Sequence, residues 1–235
     1  MQKKDFLYEG KAKQIYTTEE PGLAIMDFKD DATAFDGKKK GSIKDKGSLN
    51  AGITTVFFQL LEEQGIPTHF KEMLSSTELL VEQVEILQVE VVVRNLVAGS
   101  LSKRIGLEEG HQLEETIVEF YYKDDDLGDP LLNRDHIKVL GLAEPEELDQ
   151  MKEYGLKVNE ILSAFMKERG VLLVDFKLEF GRSDRGLLLA DEISPDTCRF
   201  WDSESMEKLD KDRFRRDLGG VEEAYQEILE RIQDN

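Results

Sequence analysis

The chain has 235 residues, 40% hydrophobic and 34% charged, with a formal net charge of −19. That length suits one domain, or two small lobes sharing a cleft, and can bury roughly 70% of the unfolded surface without staples. The acidity argues against broad binding to nucleic acid or an anionic membrane, the single Cys198 excludes an internal disulfide framework, and the apolar runs are too short to span a bilayer.

In chain order, residues 6–16 (FLYEGKAKQIY) predict two short strands around a turn from Glu9 to Lys13. Gly10 permits close backbone approach to a ligand, and Lys11 and Lys13 add charge, which suits a phosphate cover. An exposed hairpin turn carries the same residues, and the spacing is not that of a Walker loop. Gly22 to Phe28 is the next strand. Residues 29–49 read as one long polar loop, in which Lys38, Lys39, Lys40, Lys44 and Lys46 are the densest positive charge. Long loops in compact domains are functional or mobile, so this one is a lid for anionic substrates or solvated surface. Ser48 to about Gln64 predicts a helix buried through Ile53, Val56, Phe57, Leu60 and Leu61, stopped by Gly65 and Pro67. His69 stands alone and reads as structural.

Residues 77–94 predict two strands with a turn between them. Leu79 to Val84 is apolar enough to line an adenine slot, and a core strand has the same composition. Glu90 and Arg94 share a strand face. Beside them, Gly99 and Ser100 offer backbone and hydroxyl donors, either as a phosphate grip or as a small-residue packing surface. Thr116 to Lys123 predicts a strand, and Asp124 to Pro130 an acidic surface loop without EF-hand spacing. His111 and His136 lack zinc-ligand spacing. Pro145 to Arg169 is the longest helix, and Lys211 to Asp217 and Val221 to Ile232 are two more. Strands come first, then mixed elements, with antiparallel hairpins dominating, so the expected class is α+β.

Leu172 to Asp202 is the stretch that gathers chemistry. Val171 to Phe180 alternates, placing Asp175, Lys177 and Glu179 on one face, and residues 181–186 form a turn. With Leu187 to Ile193 as the return arm, Asp191 is expected opposite Glu179. Converging carboxylates repel unless a cation sits between them, and Mg²⁺ with phosphate oxygens is one solution. A solvated acidic face is the plainer one. Ser194 to Arg199 then brings Asp196 and Arg199 to the same end, which a solvated hairpin does not require.

On YEGKAKQIY, FDGKKKGSIKDKG, GIPTHF, VEVVVRN with AGSLSKR, VDFKLEFG, LADEISPDTCRFWD and the tail KLDKDRFRRDLGG, the chain resembles the SAICAR synthetases of purine biosynthesis in their short bacterial form. The resemblance covers nearly the whole chain. Leu96 and Val97 depart from it, since relatives often carry a more polar pair there. It implies an antiparallel N-terminal β lobe (1–84) over a larger α+β lobe (85–235), distantly kinase-like and ATP-grasp-like, with the nucleotide between. It also implies ATP-dependent joining of CAIR, 5-amino-1-(5-phospho-D-ribosyl)imidazole-4-carboxylate, to L-aspartate, with release of ADP and phosphate.

The site residues implied by the resemblance fall into four groups. Gly10, Lys11, Ala12, Lys13, Val81, Glu82, Val84 and Lys123 would bind ATP. Glu179 and Asp191 would hold Mg²⁺, and Lys177 would neutralise charge between ATP and the CAIR carboxylate. Arg94, Ser100 and Arg199 would grip the CAIR phosphate, with Glu90 and Asp175 on its ribose or base. Asp36, Lys38 and Asp196 would meet aspartate. A cytoplasmic homodimer acting on small molecules, with no nucleic-acid or membrane partner, completes the expectation. Two other readings remain: a kinase, although the H-R-D-x-x-x-x-N loop and D-F-G are absent, and a non-catalytic nucleotide-binding protein.

Overall fold

The computed structural model describes residues 1–34 and 39–233. Strands β1 (Phe6–Glu9), β2 (Lys13–Thr17) and β3 (Leu23–Phe28) form a meander. A separate hairpin follows, β4 (Asp31–Ala34) with β5 (Lys39–Ser42), and then helix α1 (Lys46–Glu63). The residues expected as one long loop are therefore partly paired strand, and the helix starts earlier, taking in Lys46. Strands β6 (Phe70–Met73) and β7 (Glu78–Glu82) complete a five-stranded sheet ordered β1-β2-β3-β7-β6.

A seven-stranded sheet begins with β8 (Glu85–Ile86) and β9 (Val89–Leu96). Short helix α2 (Ser100–Ile105), β10 (Gln112–Tyr122), β11 (Leu131–Leu132), helix α3 (Arg134–Leu140) and the long helix α4 (Pro145–Lys167) follow. Strands β12 (Val171–Ser183), β13 (Gly186–Ala190) and β14 (Cys198–Asp202) lead into α5 (Asp212–Arg215) and α6 (Val221–Gln233). The order is β11-β10-β9-β12-β13, with β8 and β14 also pairing to β12. The named strands described all pair antiparallel. Antiparallel sheets need only short turns, which is why hairpin signals in the sequence carried the fold class.

One apolar cluster joins the two sheets, from Ile15, Ala24 and Met26 to Val91, Phe176 and Leu178. Helix α1 is buried through Leu49, Ile53, Phe57, Phe58 and Leu61, while Val56 and Leu60 are only partly covered. Helix α4 starts with Pro145 in its first turn, where the missing N–H costs nothing, and packs on β12 and β9. No helix among the described residues is long and apolar enough to cross a membrane.

Candidate active site

A cleft of about 570 Å³ is lined from both sheets. The β1–β2 turn supplies Gly10, Lys11, Ala12 and Lys13, and Gly10 N–H donates to Lys13 O at 2.8 Å to close it. The end of β7 and the residues after it supply Val81, Glu82 and Val84. Val84 packs over Gly181 of β12, where a Cβ would stand 2.3 Å from Val84 Cγ2. The absent side chain lets the apolar wall seat.

The floor is β12. Its alternation sends Lys177 and Glu179 into the cleft. Lys177 Nζ donates to Glu90 Oε1 at 2.9 Å and to Glu179, while Lys123 Nζ donates to Glu179 Oε1 at 2.8 Å. The expected register is corrected by one residue: Ala190, not Asp191, pairs with Glu179. β13 ends at Ala190, and Asp191 has φ of 62°, left-handed backbone that Asp tolerates better than most residues. Strand alternation would send Asp191 and Glu192 to opposite faces. The left-handed residue breaks it, and Lys13 Nζ donates to both, at 2.5 Å to Asp191 Oδ1 and 2.6 Å to Glu192 Oε1.

Charge here is balanced by proximity. Burial and the Asp191 charge push the Glu179 carboxyl up, but Lys177 and Lys123 outweigh them and hold it below its ordinary value. Burial likewise opposes ionisation of Asp191, yet Lys13 and Lys177 hold it well below the usual carboxylate range. Burial works against the Lys13 and Lys177 ammoniums too, and the facing carboxylates raise both above the ordinary lysine value. His69 is buried against the Asp191 carbonyl, and burial drops its pKa to about 4. It stays neutral at pH 7 and lines the cleft.

Among the described residues no cluster of three or more His, Cys, Asp or Glu could hold a metal by itself. Glu179 and Asp191 form the smaller set that Mg²⁺ uses when phosphate oxygens and water complete its shell. Both face the cleft, and ammoniums now compensate their charge. The donor chemistry fits a hard divalent cation.

A second cluster adjoins this floor. Asp175 pairs with Arg94 across β12 and β9. Arg94 is 3% exposed. It donates to Asp175 Oδ2 at 2.7 Å, Glu119 Oε2 at 2.8 Å, Tyr121 Oη at 3.1 Å and Ser100 Oγ at 3.4 Å. Arg199 donates to both Asp175 oxygens at 2.9 Å and to Asp212 Oδ2 at 3.0 Å. Gly99 lies under Arg199: a Cβ there would come within 2.4 Å of the guanidinium. Arg94 is thus a buried guanidinium that already carries four partners beside Arg199.

Of the third cluster the sequence named Asp196 but not the partners gathered around it. Lys46, expected in a polar loop that is either a lid or solvated surface, is fully buried and donates to Asp196 Oδ2 at 2.8 Å. Tyr225 Oη donates to Asp196 Oδ1 at 2.7 Å. Burial opposes the Asp196 charge, but Lys211 and Lys46 hold its carboxyl far below the usual range. Asp196 lines the cleft with both oxygens already engaged. Asp36 and Lys38 lie outside the described residues. The acidic loop expected to be plain surface borders the cleft instead, through Asp125, which accepts from Lys11 at 2.5 Å, and Asp129. Glu192, Asp125, Lys211 and Tyr225 were missed because their partners lie far away in sequence; only the adjacency of Glu192 to Asp191 was a local signal.

A family model described as SAICAR synthetase matches residues 6–232. The phosphoribosylaminoimidazole-succinocarboxamide synthase of Coprothermobacter proteolyticus is 60% identical over 99% of each chain. A solved SAICAR synthetase in complex with ADP is 54% identical, with a TM-score of 0.94 over 97% of each chain. The phosphoribosylaminoimidazole-succinocarboxamide synthase structure from Ehrlichia chaffeensis is 45% identical, with a TM-score of 0.95 over 97% of this chain and 98% of that one.

Proposed function

From the premise that the chain belongs to the SAICAR synthetase family, we propose that it condenses CAIR with L-aspartate at the expense of ATP, giving SAICAR, ADP and phosphate. The observation that carries this reading is the convergence of Lys13, Lys177, Glu179 and Asp191 in one cleft. That set handles phosphoryl charge. Cys198 is buried and its thiol pushed well up by burial, so it offers no thiolate nucleophile.

The chemistry follows from the weakness of a carboxylate as an electrophile. A CAIR carboxylate oxygen attacks the γ-phosphorus, the bond to the bridging oxygen breaks, and ADP leaves. The acyl phosphate then takes the aspartate nitrogen at its carbonyl carbon, the C–O bond breaks, and phosphate leaves with the proton that the nitrogen gives up as the amide forms. Such transfer asks for positioning and charge neutralisation rather than a protein nucleophile. The β1–β2 turn with Lys13 covers the phosphates, Val81 and Val84 line the adenine, and Lys123 supports the nucleotide side. Lys177 stands between the γ-phosphoryl and the CAIR carboxylate. Glu179 and Asp191 would hold Mg²⁺, which would supply Lewis-acid stabilisation of phosphoryl oxygens. The Arg94–Asp175–Arg199 cluster with Ser100 and Glu90 receives CAIR. The lobes divide near residue 84, and the protein works as a cytoplasmic homodimer.

ADP release from MgATP with CAIR, with and without L-aspartate, tests the reading. Release that needs both, with a succinocarboxamide product, is expected. Release with CAIR alone would favour a kinase, and ATP binding without turnover a binding protein.

A further inference from the structure

Lys211 immediately precedes α5 and lines the cleft, with its side chain 11% exposed. The other cleft lysines are committed. Lys11 donates to Asp125, Lys13 to Asp191 and Glu192, Lys123 to Glu179, and Lys177 to Glu90 and Glu179. The Lys211 ammonium donates no hydrogen bond to any described residue. Its ion contact is 3.4 Å to Asp196 Oδ2, an oxygen that already accepts from Lys46 at 2.8 Å. A nearly buried ammonium with unfilled donors is unfavourable, so its retention in a cleft calls for a ligand that completes it.

Its position narrows the choice of ligand. A chain of contacts runs from Lys13 to Glu192, from Glu192 to Ser194 Oγ, from Ser194 Oγ to the Asp196 N–H, and from Asp196 to Lys211. Lys211 is therefore joined to the phosphoryl-transfer centre but is not part of the carboxylate pair or of the Arg94–Asp175–Arg199 cluster. Two substrates are accounted for by those groups. The third carries two carboxylates and an amine. Asp196, the described residue that the sequence offered for it, has its oxygens engaged and would repel a carboxylate. Lys211 has the opposite charge and spare donors. Around it stand Asp196, Glu192, Lys46 and Arg215; burial lowers its pKa, Asp196 opposes that, and Arg215 and Lys46 add to it. An incoming carboxylate relieves both the unfilled donors and that cationic crowding.

We infer that Lys211 binds a carboxylate of L-aspartate and so sets specificity for the amino-acid substrate. The inference rests on the reaction proposed above. The test compares wild type, Lys211→Met and Lys211→Arg in steady-state kinetics, with succinate, a dicarboxylate without the amine, as inhibitor against L-aspartate. Loss of one charged hydrogen-bonding partner should raise the KM for L-aspartate and the succinate inhibition constant in the Met variant by about 10- to 100-fold. The KM values for ATP and CAIR should stay nearly constant, and the Arg variant should recover much of the loss because it restores the charge. An ADP titration reports whether each variant is folded; should the Met variant fail it, Lys211→Gln takes its place. A fall in kcat with the aspartate KM unchanged, or an equal rise in the CAIR or ATP KM, would overturn the assignment. Wild-type turnover indifferent to L-aspartate would overturn the reaction, and the Lys211 role with it.

Discussion

At Asp191 one backbone angle decides the character of the site. With φ of 62°, it turns two consecutive carboxylates toward one lysine, which no extended strand could do. Lys13 is 11% exposed and Glu192 only 3%, so this is a buried arrangement of charge. Breaking such a pairing by removing one partner costs far more than the net worth of the pair, since the other charge stays buried. Lys13→Met should therefore lower stability by roughly 3–5 kcal/mol and weaken ADP binding as well. Denaturant unfolding and an ADP titration check this. A variant of wild-type stability would mean that Asp191 and Glu192 find other compensation.

Among the elements, β12 carries most of the site. It runs 13 residues, from Val171 to Ser183, and pairs with β8, β9, β13 and β14. The sequence ended this arm at Phe180, because Gly181 reads as the start of a turn. In the structure Gly181 is inside the strand, paired to both Leu188 and Ile86, and the turn is only Asp184 and Arg185. The glycine serves packing: a Cβ there would meet the Val84 side chain. Gly181→Val should push Val84 off its seat and destabilise the protein by about 1–3 kcal/mol, the usual range for overpacking. It should also raise the KM for ATP while leaving that for L-aspartate alone. Unchanged ATP kinetics would remove Val84 from the nucleotide wall. Helix α1 teaches the converse. Its apolar periodicity was plain, but nothing local showed that Lys46 faces inward to Asp196, a partner 150 residues away.

For the whole molecule, pH dependence comes from groups with opposite signs. Burial and the Asp212 charge push the Asp210 carboxyl up to about 7. Its value in the unfolded chain is about 3.9. Between these values the folded state keeps a proton the unfolded state has lost, so Asp210 weakens stability as pH rises from about 4 to 7. His69 acts the other way: folded near 4 and unfolded near about 6.5, it strengthens stability as pH rises through that window. The two slopes oppose each other in wild type. Asp210→Asn loses an acceptor for the Phe200 or Asp212 N–H and should be less stable throughout. Its unfolding free energy should nevertheless climb more steeply with pH between 4 and 6.5 than that of wild type. Parallel pH profiles for the two proteins would refute the Asp210 shift.

The sequence by itself determined the α+β class, the main strands and helices, the family, and the cleft residues lying on regular alternation, Lys177, Glu179 and Glu90 among them. Those follow from local rules of period, turn chemistry and motif, which need no partner to be read. Only the tertiary structure decided which charges are spent and which are spare. Arg94 and Lys46 became buried and engaged, the Asp196 carboxylate became engaged, Asp191 left its strand, and the Lys211 ammonium donates no hydrogen bond to any described residue, because ion pairing depends on distance in space and sequence separation carries almost no information about it.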